Sequence, residues 1–135
     1  MATETQYWTR FRPLLVPRIY AWKINASYVK GIPDWWGSGT NQDLWCENKR
    51  IHNDGPVPEL LDLCDHTKYL SVNQQEWLRE RHGEGRQVGV LVFSKAGYVF
   101  LPGLTWEVPI PREAFLSLTR TKHEMAEELI ELLGE

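Results

Sequence analysis

Two acidic residues and one lysine, all between positions 34 and 49, have types and spacing that suit phosphodiester hydrolysis. Glu47 and Lys49 are two positions apart in Asp43–Ile51 (DLWCENKRI), a predicted strand, so both side chains emerge on one face of the sheet. Asp34 ends the preceding extended segment and can meet Glu47 on the neighbouring strand. Two carboxylates suit a hard cation such as Mg²⁺, and a lysine beside them can orient water or neutralise developing charge. An ordinary Glu/Lys pair on a surface strand is the alternative interpretation.

The elements that must position these residues predict one α/β domain. The order is α-β-β-β-α-β-β-α-α, a central mixed β-sheet flanked by helices. No repeat, low-complexity tract or Gly/Ser-rich linker divides the 135 residues, so we expect a single domain over 1–135. Its core is expected over about 4–101, with a C-terminal helical segment over 111–134. The predicted helices are Glu4–Val16, Val72–His82, Pro111–Arg120 and Thr121–Leu133, and the predicted extended segments are Ala21–Asn25, Tyr28–Gly37, Asp43–Ile51, Gln87–Ser94 and Gly97–Leu101.

Two stretches interrupt these patterns. Pro13 falls inside the first predicted helix, where it predicts a kink or an early end. Asn53–Ser71 is rich in proline and Asp-Gly turn residues, which are typical of a loop, and a helical turn is expected at Pro58–Leu63.

Composition excludes several classes of protein. Hydrophobic residues make up 42% and charged residues 24%, which is ordinary for a soluble globular domain and excludes a disordered chain. No apolar run approaches the roughly 18–20 residues of a membrane span, and the N-terminus lacks the apolar region of a secretory signal. Two cysteines, Cys46 and Cys64, are too few for a disulfide scaffold. We therefore expect a cytoplasmic protein with no membrane association.

Charge is distributed unevenly along the chain. The net charge is −3, yet residues 1–53 hold seven Lys and Arg against four Asp and Glu. Between Thr5 and Pro33 there are five bases and no acid, and such a local potential attracts a polyanion. A surface helix and strand that happen to be basic would look the same. The candidate nucleic-acid contacts in this stretch are Arg10, Arg12, Lys23, Tyr28 and Lys30.

Seven tryptophans are unusual in so short a chain. Aromatic side chains bury large areas, so we expect most of them in the core. A minority could stack on nucleic-acid bases.

An ordered set of motifs resembles the PD-(D/E)XK nuclease superfamily, and within it the small Holliday-junction-resolvase-like and VRR-type endonucleases common in phages. The matching residues are Lys23-Ile24, Tyr28–Asp34 (YVKGIPD), Glu47-Asn48-Lys49, Gln74 and Trp77-Leu78. The resemblance covers about residues 4–93 and implies a restriction-endonuclease-like core. It also implies a Mg²⁺-dependent DNA endonuclease, in which Mn²⁺ can substitute, with branched DNA as its substrate in phage recombination, repair or DNA degradation.

The resemblance implies a role for each site residue. Asp34 and Glu47 would be the metal ligands, and Lys49 would be the catalytic lysine. Glu4, the only acid before Asp34, would contribute directly or through a metal-bound water. Gln74 would support the site from its helix.

One position departs from the superfamily pattern. The residue between Glu47 and Lys49 is usually apolar there, and here it is Asn48. Leu44 and Cys46 keep the same inner face apolar, so we expect the Asn48 amide to be hydrogen-bonded.

Two other functions stay open. A non-catalytic nucleic-acid- or protein-binding module could keep a nuclease-like fold, although the intact Asp/Glu/Lys trio favours an enzyme. A zinc site is the second, since two cysteines and two histidines lie between positions 46 and 66. Their spacing matches no common zinc finger or ribbon. These four residues are Cys46, His52, Cys64 and His66.

The last predicted helix bears on assembly. Thr121–Leu133 has a wide apolar arc, which either packs on the Gln87–Leu101 hairpin or is shared across a two-fold axis. Symmetric cleavage of a four-way junction needs two active sites, and one domain supplies one. A resolvase would therefore be a homodimer, with this helix or the Tyr98–Trp106 segment as its interface.

Overall fold

The computed structural model describes residues 1–25 and 29–135. Its strands are β1 Tyr20–Lys23, β2 Trp35–Ser38, β3 Asp43–Arg50, β4 Leu60–Leu61, β5 Val88–Ser94, β6 Gly97–Pro102 and β7 Ile110–Pro111. Its helices are α1 Glu4–Phe11, α2 Val72–Gly83, α3 Arg112–Leu118 and α4 Lys122–Leu133. A five-stranded sheet has the order β1-β2-β3-β5-β6, and β4 pairs with β7 in a second, two-stranded sheet. Only the β3–β5 pair is parallel among the paired strands of the described chain. The predicted class, a mixed sheet flanked by helices, is confirmed.

The first helix is shorter than predicted. α1 ends at Phe11 rather than at Val16, and Arg12–Leu14 forms a separate 3-10 turn. Pro13 lies at the start of that turn and has no N–H to continue the helical hydrogen bonds, so the early end follows from this residue.

The extended segment before the site is also shorter than predicted. β2 begins at Trp35, because Gly31 adopts a φ of +79° and turns the chain ahead of it. Tyr28, where the segment was predicted to begin, lies outside the described residues. The helical turn predicted at Pro58–Leu63 is wrong, since Leu60–Leu61 forms β4 and pairs with β7 about fifty residues later in the chain.

The five-stranded sheet buries both faces over β3 and β5. We call the side that carries Leu44, Cys46 and Asn48 of β3 the α1 face, because α1 and α4 cover it. The opposite side, which carries Trp45, Glu47 and Lys49, is the α2 face. The α1-face core contains Phe11, Trp35, Phe93 and Leu129 among others, and the α2-face core contains Leu78, Val90, Trp106 and Phe115 among others.

The last helix packs within the chain. The apolar arc of α4 is buried in the α1-face core, and the helix contacts β6. Of the two arrangements considered for this helix, the structure therefore has the one in which it packs on the β5–β6 hairpin. Its buried residues are Met125, Ala126, Leu129, Ile130 and Leu133. The Tyr98–Trp106 interface remains a prediction.

Within the described ranges, no helix is both long enough and apolar enough to cross a lipid bilayer.

Candidate active site

Asp34 and Glu47 come together at the start of β2. The antiparallel register pairs Trp36 with Trp45, so two residues further along both chains Asp34 lies opposite Glu47 on the α2 face. The backbone N–H of Asn48 donates to Asp34 Oδ2 at 2.7 Å, which fixes the Asp34 carboxylate against β3. The predicted meeting of the two carboxylates across neighbouring strands is therefore what the structure contains.

Glu47 is a buried carboxyl with few partners. Its side chain is 2% exposed, and its Oε1 accepts a hydrogen bond from Gln74 Nε2 at 3.2 Å. The Lys49 ammonium lies 3.7 Å from the same oxygen and is itself nearly buried. Burial raises the pKa of Glu47 well above its usual range, and the neighbouring Asp34 adds to that rise, while Lys49 opposes it. The cluster of Asp34, Glu47 and Lys49 therefore contains two acidic groups and one basic group.

Gln74 reaches Glu47 because of how α2 begins. Ser71 caps the helix and accepts from Gln74 N at 3.1 Å, and Gln74 Oε1 accepts from Ser71 N at 2.9 Å. With its oxygen committed to the cap, the Gln74 amide presents its NH₂ group to the carboxylate. Gly31, in the loop before β2, packs closely against the start of α2. A Cβ at this position would lie 2.3 Å from the Asn73 carbonyl oxygen, so only glycine allows this approach.

Glu4 is half-buried and lies within electrostatic range of the cluster. Burial raises its pKa, and so does the charge of Asp34, whereas the charge of Lys49 and the Arg50 backbone N–H lower it. Glu4, in the first turn of α1, thus brings a third carboxyl group towards the site, near the end of β3. Glu4 is also the first residue of a capped helix, which fixes its position despite its place near the N-terminus.

Asp54 anchors that helix start, a role the sequence did not reveal. It accepts hydrogen bonds from the Tyr7 hydroxyl at 2.6 Å and from the Ala2 backbone N–H at 2.8 Å. Both Asn53 and Asp54 have positive φ angles, 56° and 53°, so a tight turn aims the carboxylate inward. Tyr7 and Asp54 are 47 residues apart, and no local pattern connects them.

The donor chemistry of the Asp34–Glu47 pair fits a hard divalent cation. Two adjacent carboxyls, one of them buried, repel each other when ionised, and oxygen ligands are those that Mg²⁺ prefers. Over residues 1–25 and 29–135, no three His, Cys, Asp or Glu side chains meet with metal-binding geometry. The zinc alternative therefore fails for its four residues. Cys46 lies in the α1-face core, and Cys64 lies against the α2-face core.

The predicted nucleic-acid contacts separate into two groups. Lys30 is exposed and precedes Gly31 in the loop that packs on α2, four residues before Asp34 in the sequence. Lys23 is exposed at the end of β1. Tyr28 lies outside the described residues.

The two arginines of this set belong to α1 and to the 3-10 turn that follows it. Arg12 Nε donates to the Ala21 carbonyl at 2.8 Å, so this side chain ties the 3-10 turn to β1. Burial raises the pKa of both Tyr7 and Tyr98, and the charge of nearby Arg10 opposes that rise. DNA contacts by these two residues remain predictions.

The architecture defines a mixed-sheet α/β domain whose polar cluster lies where a helix start meets neighbouring strands. Neither a protein-family model nor a curated protein matches the sequence. The fold is similar to the 1.6 Å resolution structure of Hjc, a Holliday junction resolvase from the archaeal hyperthermophile Archaeoglobus fulgidus. The TM-score is 0.54 at 17% sequence identity, and the match covers 93% of this chain and 96% of that one. At this identity the similarity establishes the fold, and it extends over nearly the whole of both chains.

Proposed function

We propose that this chain is a metal-dependent endonuclease that hydrolyses phosphodiester bonds in DNA, with a preference for branched structures. The observation that carries the proposal is the cluster of Asp34, Glu47 and Lys49 on the α2 face, with a buried Glu47 whose pKa is raised. The fold similarity to Hjc, which is described as a Holliday junction resolvase, supports branched DNA as the substrate. The substrate would be cytoplasmic DNA undergoing phage recombination, repair or degradation.

Asp34 and Glu47 would hold the cation, Mg²⁺ or in its place Mn²⁺. When bound, the cation would polarise the scissile phosphate and lower the pKa of a coordinated water. Neutralising the two carboxylates also removes their mutual repulsion, so the folded site and the cation stabilise one another. Gln74 donates to Oε1 of Glu47, and the second oxygen of this carboxylate would act as the ligand.

Lys49 supplies the remaining positive charge. Its ammonium group, 3.7 Å from Glu47 Oε1, is held on the same face as both carboxylates and has little contact with solvent. In such a poorly hydrated site a fixed cation stabilises charge that develops on phosphate oxygens more strongly than it would in water. Lys49 would therefore orient the attacking water or neutralise the transition state. Glu4 would complete the site from α1, directly or through a water.

A homodimer would supply the second active site that symmetric cleavage of a junction needs. Sedimentation of the protein at micromolar concentration, with and without a four-way junction, tests this part of the proposal. A dimer in either condition supports paired cleavage. A monomer near 16 kDa in both conditions would limit the activity to nicking one strand.

The decisive experiment is a cleavage assay on a panel of labelled substrates. Four-way junction, flap, single-stranded and duplex DNA are incubated with Mg²⁺, with Mn²⁺ and with EDTA. We expect cleavage of branched DNA that requires the metal and is lost in Lys49→Ala, while Lys95→Ala, a change of an exposed lysine in the β5–β6 turn, keeps wild-type activity. Metal-dependent binding without cleavage would favour the non-catalytic module. Equal activity of both lysine variants would refute the assignment of the site.

A further inference from the structure

Four of the seven tryptophans form a row on the α2 face. Trp22 of β1 pairs with Trp36 of β2, and Trp36 pairs with Trp45 of β3. The ring centroids of Trp36 and Trp45 are 6.3 Å apart, and Trp77 of α2 continues the row 5.7 Å from Trp45. We call Trp22, Trp36, Trp45 and Trp77 the tryptophan row. The other three tryptophans are at most 5% exposed and belong to the two cores.

The row runs directly beside the carboxylates. Asp34 immediately precedes β2 and is two residues from Trp36, and on β3 the same spacing separates Trp45 from Glu47. Residues two apart on a strand share a face and lie about 6.6 Å from one another. Each carboxylate of the site therefore has a tryptophan of the row as its same-face neighbour. A phosphate held at the site would have its adjoining nucleotides over these rings.

The outer end of the row is open to solvent. Trp22 is 60% exposed, and Tyr20, its same-face neighbour on β1, is 65% exposed. These two aromatic side chains therefore leave most of their surface in water, and packing within the domain accounts for only part of their area. The inner residues Trp36, Trp45 and Trp77 are half-buried and keep part of their rings accessible.

Positive charge flanks the row at its inner end. A cavity of about 430 Å³ joins Trp45 and Trp77 to Arg81 and Arg86. The Arg81 guanidinium carbon lies 5.4 Å from the centre of the Trp77 ring, and Arg81 also pairs with Glu84 at 2.9 Å. Arg86 is exposed and has no ion-pair partner among the residues that the structure describes. Accessible rings with arginines beside them are the composition of a surface that binds single-stranded nucleic acid.

We propose that the tryptophan row is a stacking platform for unpaired bases of the DNA substrate. The proposal rests on the proposed function, because it places the scissile phosphate at the adjacent carboxylates. It narrows the substrate class to branched DNA with unpaired nucleotides beside the cleaved bond. Every base has a π-face, so stacking on the rings contributes affinity without sequence preference, whereas a fully paired arm has no free face to offer.

The test measures binding in EDTA, where no cleavage interferes. Fluorescence anisotropy follows three labelled ligands: a duplex with a single-stranded arm, the same duplex with abasic nucleotides in that arm, and a fully paired duplex. We expect wild-type protein to bind the arm with bases about 10-fold or more tightly than the abasic arm, which keeps every phosphate. Equal affinity for the two arms would overturn the proposal without the use of any variant.

Variants locate the effect on the row. Trp22→Ala should lower affinity for the arm with bases about 10-fold and leave the abasic arm and the duplex unchanged. Trp22→Phe keeps a ring and should retain most of the affinity. Leu118→Ala, an exposed apolar residue of α3 near the opposite sheet edge, is the matched control and should change nothing. The slope of log affinity against log salt should be the same for wild type and Trp22→Ala, since no phosphate contact is removed.

The outcomes separate this proposal from the nuclease. Base-dependent binding that requires Trp22, in a protein that cleaves no substrate with either metal, would support the platform and refute the nuclease. Cleavage that requires Lys49, with wild-type affinity of Trp22→Ala for the arm with bases, would refute the platform alone. A loss in Trp22→Ala that is equal for all three ligands would also refute stacking, since it would show that the row acts on the phosphates or on the fold. Failure to bind any of the three ligands would refute the platform as well, and would favour a protein as the occupant of the row.

Discussion

The two faces of β3 differ in the partners that they offer to buried polar side chains. On the α1 face, Asn48 is 2% exposed, and its side-chain oxygen accepts from the Trp35 indole N–H at 2.9 Å. On the α2 face, Glu47 is equally buried, but it accepts a 3.2 Å hydrogen bond from Gln74 and lies against a second carboxyl group, that of Asp34. Neighbouring residues of one strand thus lie in two environments: the Asn48 amide is held by a complementary donor, and the Glu47 carboxyl is held against another acidic group.

This difference separates the parts of the domain that stabilise the fold from the cluster that forms the candidate active site. The α1 face is an aromatic core whose one buried amide is hydrogen-bonded, and such packing stabilises a fold. The α2 face holds together groups that repel each other, which a protein tolerates when a ligand later compensates for the repulsion. Changes in the α1-face core should therefore alter stability with little effect on activity, and changes of the polar cluster on the α2 face should do the reverse.

The largest expected effect is on cleavage, from changes at the α2-face cluster. Asp34→Asn keeps an acceptor for the Asn48 N–H but removes the charge that would bind a cation. Lys49→Ala removes the buried ammonium group. Each should lower the cleavage rate by at least about 10²–10³-fold, the range found for the loss of one electrostatic group at an active site. Single-turnover cleavage rates measure the effect.

The same variants should fold normally. Circular dichroism and urea denaturation provide the control, and a change in the free energy of unfolding below about 1 kcal/mol is expected for Asp34→Asn. Wild-type cleavage in both variants would contradict the division of tasks between the faces. Loss of folding in both would contradict it equally, because the cluster would then be structural.

The second prediction concerns the α1 face. Trp35→Phe shortens a fully buried ring and leaves the Asn48 side-chain oxygen without its donor. The free energy of unfolding should fall by about 2–4 kcal/mol, measured by urea denaturation. The cleavage rate per folded molecule should stay within about threefold of wild type. Trp22→Phe, at an exposed position, is the matched control and should alter stability by less than about 0.5 kcal/mol.

Much of this arrangement could be predicted from local patterns. Alternation along β3 sets Glu47 and Lys49 on one face, and apolar Leu44 and Cys46 on the other, because a strand has a period of two. The hydrogen bond expected for Asn48 is present, with Trp35 as its donor. The start of α2 follows from its capping residues, which also orient Gln74.

Other features could not be predicted because they depend on distant partners. β4 exists through its pairing with β7, and Asp54 acts through Tyr7 and Ala2 at the far end of the chain. The tryptophan row needs the pairing of three strands and a helix before its members become neighbours. Patterns within a single segment of the sequence cannot predict contacts between residues that are so far apart in the chain.

The third prediction concerns Asp54, which connects the two faces by fixing the start of α1 and hence Glu4. Burial acts to raise the pKa of Asp54, but the hydrogen bonds from Tyr7 and Ala2 outweigh it and its pKa is lowered. A lowered folded-state pKa gives stability that is present above the unfolded-state value and is lost as the pH falls through the folded-state value. Asp54→Asn should therefore reduce the free energy of unfolding by about 1–2 kcal/mol at pH 7.

The pH dependence distinguishes this charge effect from a simple loss of packing. The difference between wild type and Asp54→Asn should be constant from pH 7 to about 5 and should shrink below about pH 4. There the unfolded chain binds a proton at Asp54 first, and the folded protein follows at lower pH because its Asp54 pKa is lowered. Denaturation curves at several pH values measure it. A difference that does not change with pH would contradict the electrostatic role. Cleavage should fall less than in Asp34→Asn, because Glu4 is displaced while the metal ligands stay.

The smallest effect, and the most direct test of repulsion on the α2 face, comes from Glu47→Gln without metal. Because burial and then Asp34 raise the pKa of Glu47, the folded protein binds a proton at this site more tightly than the unfolded chain does. Wild-type stability from this group is therefore greatest below the ordinary value of about 4.3 and falls as the pH rises towards the folded-state value. Glu47→Gln removes that fall, so in EDTA at pH 7 it should be more stable than wild type. Millimolar Mg²⁺ should reverse the order, because the cation stabilises the wild type and has lost a ligand in the variant. Thermal unfolding at pH 5–8 in EDTA and in Mg²⁺ measures both effects. If the wild type were more stable than Glu47→Gln in EDTA at every pH, the Glu47 carboxylate would be stabilised by its surroundings, and the repulsion proposed for the α2 face would be refuted.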